Sequence, residues 1–316
     1  MKGLVKAFRK GITLIELFQM FPDDASAERW LEEARWGEAG KPAYCPHCGC
    51  DDKLRPVPSR RPLPYWCGSC RRNYSVRVGT VMHRSHIPLQ KWVIGIYLWA
   101  TSLKSVSSMK LHRDLGITQK SAYFMAQRLR EAWSDMPFDT EGLVEADGSY
   151  FGGARKNMPN WKQKAQTGRR TVGKTAVAGI KDRETGQVSA RVTDSTKADD
   201  LQRLVRNHAV PGAPLCTDEA GVYNGMPEYE HEAVDHSASE YVQEMAHISG
   251  IESFWSLLKR GYHGTFHHIS EKRLRRYVNE FATRHNLRPQ DTIAMMQDTV
   301  ARMVGKRLTY RGLITD

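Results

Sequence analysis

Five of the six cysteines fall between positions 45 and 70. Cys45-Pro-His-Cys48 and Cys67-Gly-Ser-Cys70 are two C-x-x-C turns separated by 18 residues. That spacing is characteristic of a four-thiolate zinc site. Each turn aims two thiolates at one point, and a short hairpin brings the second turn opposite the first. Four sulfurs then close a tetrahedral shell. A module this small has too little core to fold without such a staple. The spacing therefore predicts a zinc ribbon over residues 44–80, with short strands near 54–57, 65–66 and 73–76. A disulfide framework is the competing arrangement and is disfavoured in a reducing compartment. His47 and Cys50 are rival ligands, and Cys216 reads as a small buried strand residue.

Charge narrows the class of partner. Lys and Arg total 47 against 35 Asp and Glu, a formal net charge of +12. No apolar run reaches the roughly 18 residues of a membrane span. The N-terminus carries Lys2, Lys6, Arg9 and Lys10, but Glu16 and Gln19 interrupt the apolar stretch that follows, and no cleavage site is evident. The expectation is a cytoplasmic, nucleoid-associated protein with no membrane association that meets a polyanion, most often nucleic acid.

Length, at 316 residues, leaves room for two or three domains. Thr13-Leu14-Ile15-Glu16 predicts a capping box opening a short helix, and residues 25–36 predict a second, within an N-terminal helical segment at 1–43. Residues 88–100 predict a helix with Trp92, Ile96 and Trp99 on its apolar face. Residues 105–115 and 119–133 then predict two helices around Gly116-Ile117-Thr118, the spacing of a helix–turn–helix within 86–136. The second helix carries Lys120, Tyr123, Gln127 and Arg128, side chains able to meet phosphates and base edges. A structural helix pair with a solvated face is the plainer alternative.

From Gly142 the texture turns to strands, predicted at 143–147 (running into 150–153), 175–180, 187–192, 214–218 and 232–234. Helices are predicted at 197–207, 250–260 and 271–284. The order suggests an α/β domain over 141–288 with a mixed sheet, followed by a helical tail at 289–316. Between the first two strands, residues 154–173 hold Arg155, Lys156, Lys162, Lys164, Arg169 and Arg170 and no acidic residue, the composition of a phosphate clamp.

Three carboxylates are the candidate chemistry. Asp147 and Asp218 end predicted strands, and Glu252 opens a helix whose apolar face carries Phe254, Leu257 and Leu258. Lys259 lies two turns on, on the face of Glu252. Clustered carboxylates repel unless cations neutralise them, and hard oxygen ligands select Mg²⁺ or Mn²⁺. Two such ions can activate a water or a 3′-hydroxyl and stabilise the leaving oxygen at a phosphodiester. Taken singly, a strand-end Asp is a solvated turn residue and a helix-opening Glu complements the dipole. Glu145, Asp194, Asp199, Asp200 and Glu219 are expected to be of that ordinary kind.

The stretches 144–153, Thr217-Asp218-Glu219, Tyr223, Asp235-His236-Ser237 and 251–260 together resemble the DDE transposases of bacterial insertion sequences, in particular the ISXO-like group with an N-terminal zinc ribbon. The resemblance extends to 13–18, to the two C-x-x-C turns, to 264–270 and to 304–310. It implies a ribonuclease H-like catalytic domain in which Asp147, Asp218 and Glu252 match the acidic triad and Lys259 the basic residue after it. It implies double-stranded DNA as partner, both element ends and target, with Arg260 among the DNA contacts, and a homo-oligomer assembled on that DNA. Two positions depart from relatives: Gly148 stands where a Glu is common, and Ser249 where some carry an Asn assigned to the third catalytic place. The first alters the charge beside the site, and the second favours Glu252. The leading expectation is a transposase that cuts and joins DNA. The alternatives are a non-catalytic DNA-binding regulator derived from one, and a plain metal-dependent nuclease.

Overall fold

A computed structural model describes residues 11–134, 138, 140, 142–153, 159–165, 173–193, 198–218, 223, 225–234 and 248–315. For 162, 164, 165, 199, 218, 233 and 234 it describes the backbone alone. The chain divides into two compact units, Met1–Trp133 with Leu287–Asp316, and Ser134–Asn286.

The first unit opens with α1 (Leu14–Met20) and α2 (Asp24–Trp36). Thr13 and Glu16 form the predicted reciprocal capping box, and Asp23 with Ser26 forms another. Strands β1 (Leu54–Pro56), β2 (Tyr65–Cys67) and β3 (Arg72–Tyr74) make an antiparallel sheet. Tyr65 and Tyr74 stack at 5.6 Å, and Trp36 meets both edge-on. The Tyr65 hydroxyl donates to the buried Glu32 at 2.7 Å. The ribbon is thus anchored to α2 by an aromatic trio and a satisfied buried polar pair.

Helix α3 (Leu89–Thr101) buries Trp92, Ile96 and Trp99 as predicted. Helices α4 (Ser108–Leu115) and α5 (Gln119–Ala132) form the expected pair, with Gly116 left-handed at the turn and Thr118 capping α5. A Cβ at Gly95 would lie 2.8 Å from the end of the flexible Met125 side chain, so α3 and α5 pack closely there. Residues expected as a separate tail belong to this unit. Helix α10 (Thr292–Met303) buries Met295, Met296, Val300 and Met303, and the Trp133 indole donates to Thr299 at 3.1 Å. Helix α11 (Tyr310–Thr315) follows and buries Leu313.

The second unit is built on five strands: β4 (Val144–Phe151), β5 (Thr175–Asp182), β6 (Val188–Thr193), β7 (Pro214–Asp218) and β8 (Glu230–Val234). Their order is β6-β5-β4-β7-β8. The first three run antiparallel, and β7 and β8 are parallel to β4. Helix α6 (Asn160–Ala165) lies within the basic insert, where the sequence suggested no regular structure. Helix α7 (Ala198–Arg206) contributes Leu201, Leu204 and Val205 to a core with Val144, Ala146, Ile180 and Leu215. Helices α8 (Ser249–Gly261) and α9 (Glu271–Leu287) contribute Ile251, Phe254, Trp255, Leu258 and Phe281 to another with Val177 and Cys216. Adjacent strand residues divide between the two cores, as the two-residue period requires. Asp218 ends β7 as expected, whereas Asp147, expected at a strand end, lies inside β4, which pairs with β5 as far as Phe151.

Candidate functional site

The four predicted zinc ligands converge. The sulfurs of Cys45, Cys48, Cys67 and Cys70 lie within 4.8 Å of one another. Cys45 and Cys70 are 3.7 Å apart, as are Cys48 and Cys67. A tetrahedral ion with bonds of about 2.3 Å to sulfur has edges near that length, whereas a disulfide needs about 2.05 Å. The donor set therefore fits a structural zinc. Burial pushes the Cys45 thiol up to about 12, while the Cys70 backbone N–H helps bring the Cys67 thiol down to about 6. The rival ligands have other partners: Cys50 donates to Asp52 at 3.0 Å, and the His47 ring nitrogen lies 3.4 Å from the Asn73 carbonyl.

The carboxylate site grows from β4. Its pairing with β7 runs Val144↔Leu215, Glu145↔Cys216 and Ala146↔Thr217. Asp147 and Asp218 are the next residues on these neighbouring parallel strands. Asp147 is half-buried, with Oδ1 accepting from the Gly148 N–H at 2.6 Å and Oδ2 from the Trp255 indole N–H at 3.0 Å. Trp255 lies on α8, one turn after the exposed Glu252. Lys259 and Arg260 are exposed in the last turn of the same helix. The apolar face holds Ile251, Phe254, Trp255 and Leu258; Leu257 is only partly buried.

Residues outside the expected triad, Glu145, Gly179, Gly250 and Trp255, hold this geometry. Glu145, expected to be solvated, is 1% exposed. It accepts from the Ile251 N–H at 2.7 Å and from Arg183 Nε at 3.0 Å. Helix α8 has no side-chain cap from its own N-cap residue, Ile248, so a strand carboxylate meets an otherwise orphaned donor and complements the dipole. Gly250 makes room, because a Cβ there would lie 2.6 Å from Glu145 Oε2. Gly179, paired with Asp147 across β4 and β5, makes room for Trp255: its Cβ would lie 2.7 Å from the indole ring. The sequence signal was present but weak, a carboxylate two residues before Asp147 and a glycine inside an apolar strand.

The expected DNA contacts divide. Lys120 is exposed, with its ammonium 4.8 Å from the Tyr310 ring, and Tyr123 is half-buried. Gln127 and Arg128 are corrected: both are buried, at 0% and 8% exposure. The C-terminal half of α5 faces the unit's interior, and Arg128 stacks over Phe124 at 4.1 Å while donating to the His83 carbonyl. Arg155, Lys156, Arg169 and Arg170 lie outside the described residues, as do the side chains of Lys162, Lys164 and Asp218.

Two regions of the chain match known families. Residues 140–286 match the ISXO2-like transposase domain, and residues 22–73 match a transposase zinc-ribbon domain. A protein from Halobacterium salinarum, described as an uncharacterized protein in transposable element ISH50, is 26% identical over 277 residues, covering 84% of this chain and 92% of its own length. Among the described residues, no helix is long and apolar enough to cross a membrane.

Proposed function

We propose, for a chain that carries an ISXO2-like transposase domain behind a transposase zinc ribbon, that it binds the terminal inverted repeats of its insertion sequence and catalyses DNA strand cleavage and strand transfer. The observation that carries the reading is the juxtaposition of Asp147 and Asp218 at the next positions of two parallel-paired strands, beside the helix that bears Glu252. An antiparallel β6-β5-β4 meander extended by parallel β7 and β8 supports a ribonuclease H-like fold.

Asp147, Asp218 and Glu252 would hold Mg²⁺ or Mn²⁺, hard cations suited to carboxylate oxygens. Such ions supply an activated water or 3′-hydroxyl and charge stabilisation at the leaving oxygen. Trp255 orients the Asp147 carboxylate through its indole N–H, and Glu145 holds α8 on the sheet. Lys259 and Arg260 place positive charge beyond Glu252, where a DNA phosphate is attracted. The zinc ribbon and the exposed start of α5 supply further DNA contacts, and assembly of several copies on two element ends brings both to one target.

The test is a cleavage assay on labelled element ends, run beside a gel-shift assay on the same DNA. Asp147→Asn, Asp218→Asn and Glu252→Gln should each abolish cleavage and joining in Mg²⁺ or Mn²⁺ while leaving end binding intact. Lys259→Ala should retain intermediate activity. Full cleavage by Glu252→Gln would move the third ligand elsewhere. Full cleavage by either aspartate variant would sink the two-metal reading. End binding without cleavage by the natural chain would favour the non-catalytic regulator.

A further inference from the structure

The C-terminal segment returns to the zinc ribbon. Val81 N–H donates to the Met303 carbonyl at 3.1 Å, Gly305 N–H donates to the Gly79 carbonyl at 2.8 Å, and Thr80 and Val304 form an antiparallel bridge. Gly79 is left-handed, with φ +73°, and a Cβ there would also lie 3.2 Å from Pro46 in the first C-x-x-C turn. Three segments distant in sequence therefore surround common space. Two cavities of about 520 and 550 Å³ share His47, Val78, His83 and Arg307 in their walls.

The walls of this cleft are cationic. Arg72, Arg84, Arg307 and Lys306, whose ammonium donates to the Ala132 carbonyl, line it beside His47 and His83, and among the described residues no carboxylate does. Two further arginines in the walls are committed to the fold: Arg35 donates to the Val76 and Val78 carbonyls, and Arg77 to those of Ser85 and Ile87. Arg84 and Arg307 are exposed at the cleft. Behind them, Arg128 has a buried Nε with no hydrogen-bond partner. Burial, and then the field of Arg307, brings Arg128 down to about 10. Burial, then Arg307 and Arg84, also lowers the His83 imidazole. Like charges gathered without a counter-charge repel, and a bound anion would relieve them.

We propose that this cleft is a seat for the DNA sugar–phosphate backbone, with Arg84 and Arg307 as its phosphate contacts. The inference rests on the DNA-binding reading above and gives it a location outside α5. Two adjoining cavities with exposed arginines suit a continuous polyanion that passes across them. Backbone contacts of this kind set position and affinity, leaving sequence to be read elsewhere.

The test uses the full, zinc-loaded chain and a fluorescein-labelled DNA duplex of about 30 base pairs, long enough to span several phosphate contacts. Anisotropy titrations are run over a series of salt concentrations. Arg307→Ala and Arg84→Ala should each weaken binding about tenfold at low salt and reduce the slope of log affinity against log salt by about one. Arg307→Lys should keep the slope, because it keeps the charge. Zinc content and thermal unfolding should match the parent chain, as expected for exposed side chains. Unchanged affinity and slope in both alanine variants would overturn the cleft and leave the DNA-binding reading standing. Failure of the parent chain to bind the duplex at low salt would overturn both.

Discussion

The two candidate metal sites are built in opposite ways. In the ribbon, four ligands from 26 consecutive residues meet through two tight turns and three strands of three residues each. There the metal would supply the core. In the second unit, the three carboxylates span positions 147 to 252 and depend on a sheet with a packed core on each face. There the core supplies the site, through residues that are not among the expected ligands: Glu145, Gly179 and Trp255. Metal removal should therefore unfold one region and leave the other standing.

The largest expected effect breaks the ribbon. Structural zinc contributes about 10 kcal/mol or more to the folding of modules of this kind. The purified chain should contain about one zinc. Cys67→Ser should lose it, abolish folding of residues 44–80 and impair DNA binding, while the second unit keeps its cooperative unfolding transition. Zinc content by metal analysis and the two transitions by differential scanning calorimetry check this. A folded ribbon without zinc would place the site in the same class as the carboxylate site.

Next in size is Glu145, which tests whether the core holds the carboxylate site. Glu145→Ala would leave Arg183 and the Ile251 N–H without their shared acceptor. Removing one member of a buried pair costs about 3 kcal/mol, and Arg183 is mostly buried, with its side chain 20% exposed. Urea unfolding of the second unit should show that loss, with zinc content unchanged. Glu145→Gln keeps an acceptor for the helix N–H and should lose less. A stability change confined to the ribbon would refute the role given to this residue.

The contrast also explains what could be read from the chain. The ribbon was legible because its chemistry is local: ligand spacing alone names the four sulfurs. The strands and most helices of the second unit were legible from local pattern, α6 excepted, and β7 ends at Asp218 as expected. Long-range geometry was not. Glu145 looked like one more charged residue near a strand end, since nothing local shows that its acceptor role is played to a helix N–H over 100 positions away. Gln127 and Arg128 looked like a DNA-facing stripe because they follow Lys120 and Tyr123 at helical spacing. Phe124, Met125 and Leu129 interleave with them, and the burial of nearly the whole C-terminal half of α5 overrode the amphipathic pattern. The tail at 289–316 was isolated in sequence by the intervening domain, although its buried methionines belong to the first unit's core.

The smallest expected effect on stability gives the sharpest reading of the comparison. Trp255→Phe keeps an aromatic ring over Gly179 and against Phe151 and Phe254 but removes the indole N–H that reaches Asp147. Asp147 is half-buried, so water can replace part of the lost bond, and the stability cost should be about 1 kcal/mol. The functional cost should be larger. A carboxylate free to rotate no longer offers its oxygens in one orientation, and a misplaced ligand costs rate in proportion to the lost positioning. Cleavage of element ends should fall roughly tenfold or more, equivalent to at least about 1.4 kcal/mol of barrier, while end binding stays unchanged. Higher Mn²⁺ should restore part of the activity if the defect is weakened metal retention, a response that a purely structural lesion would not show. If cleavage falls only as far as stability does, Trp255 is core packing alone. The orientation of Asp147 would then come from the backbone of β4, through the Gly148 N–H that it already accepts.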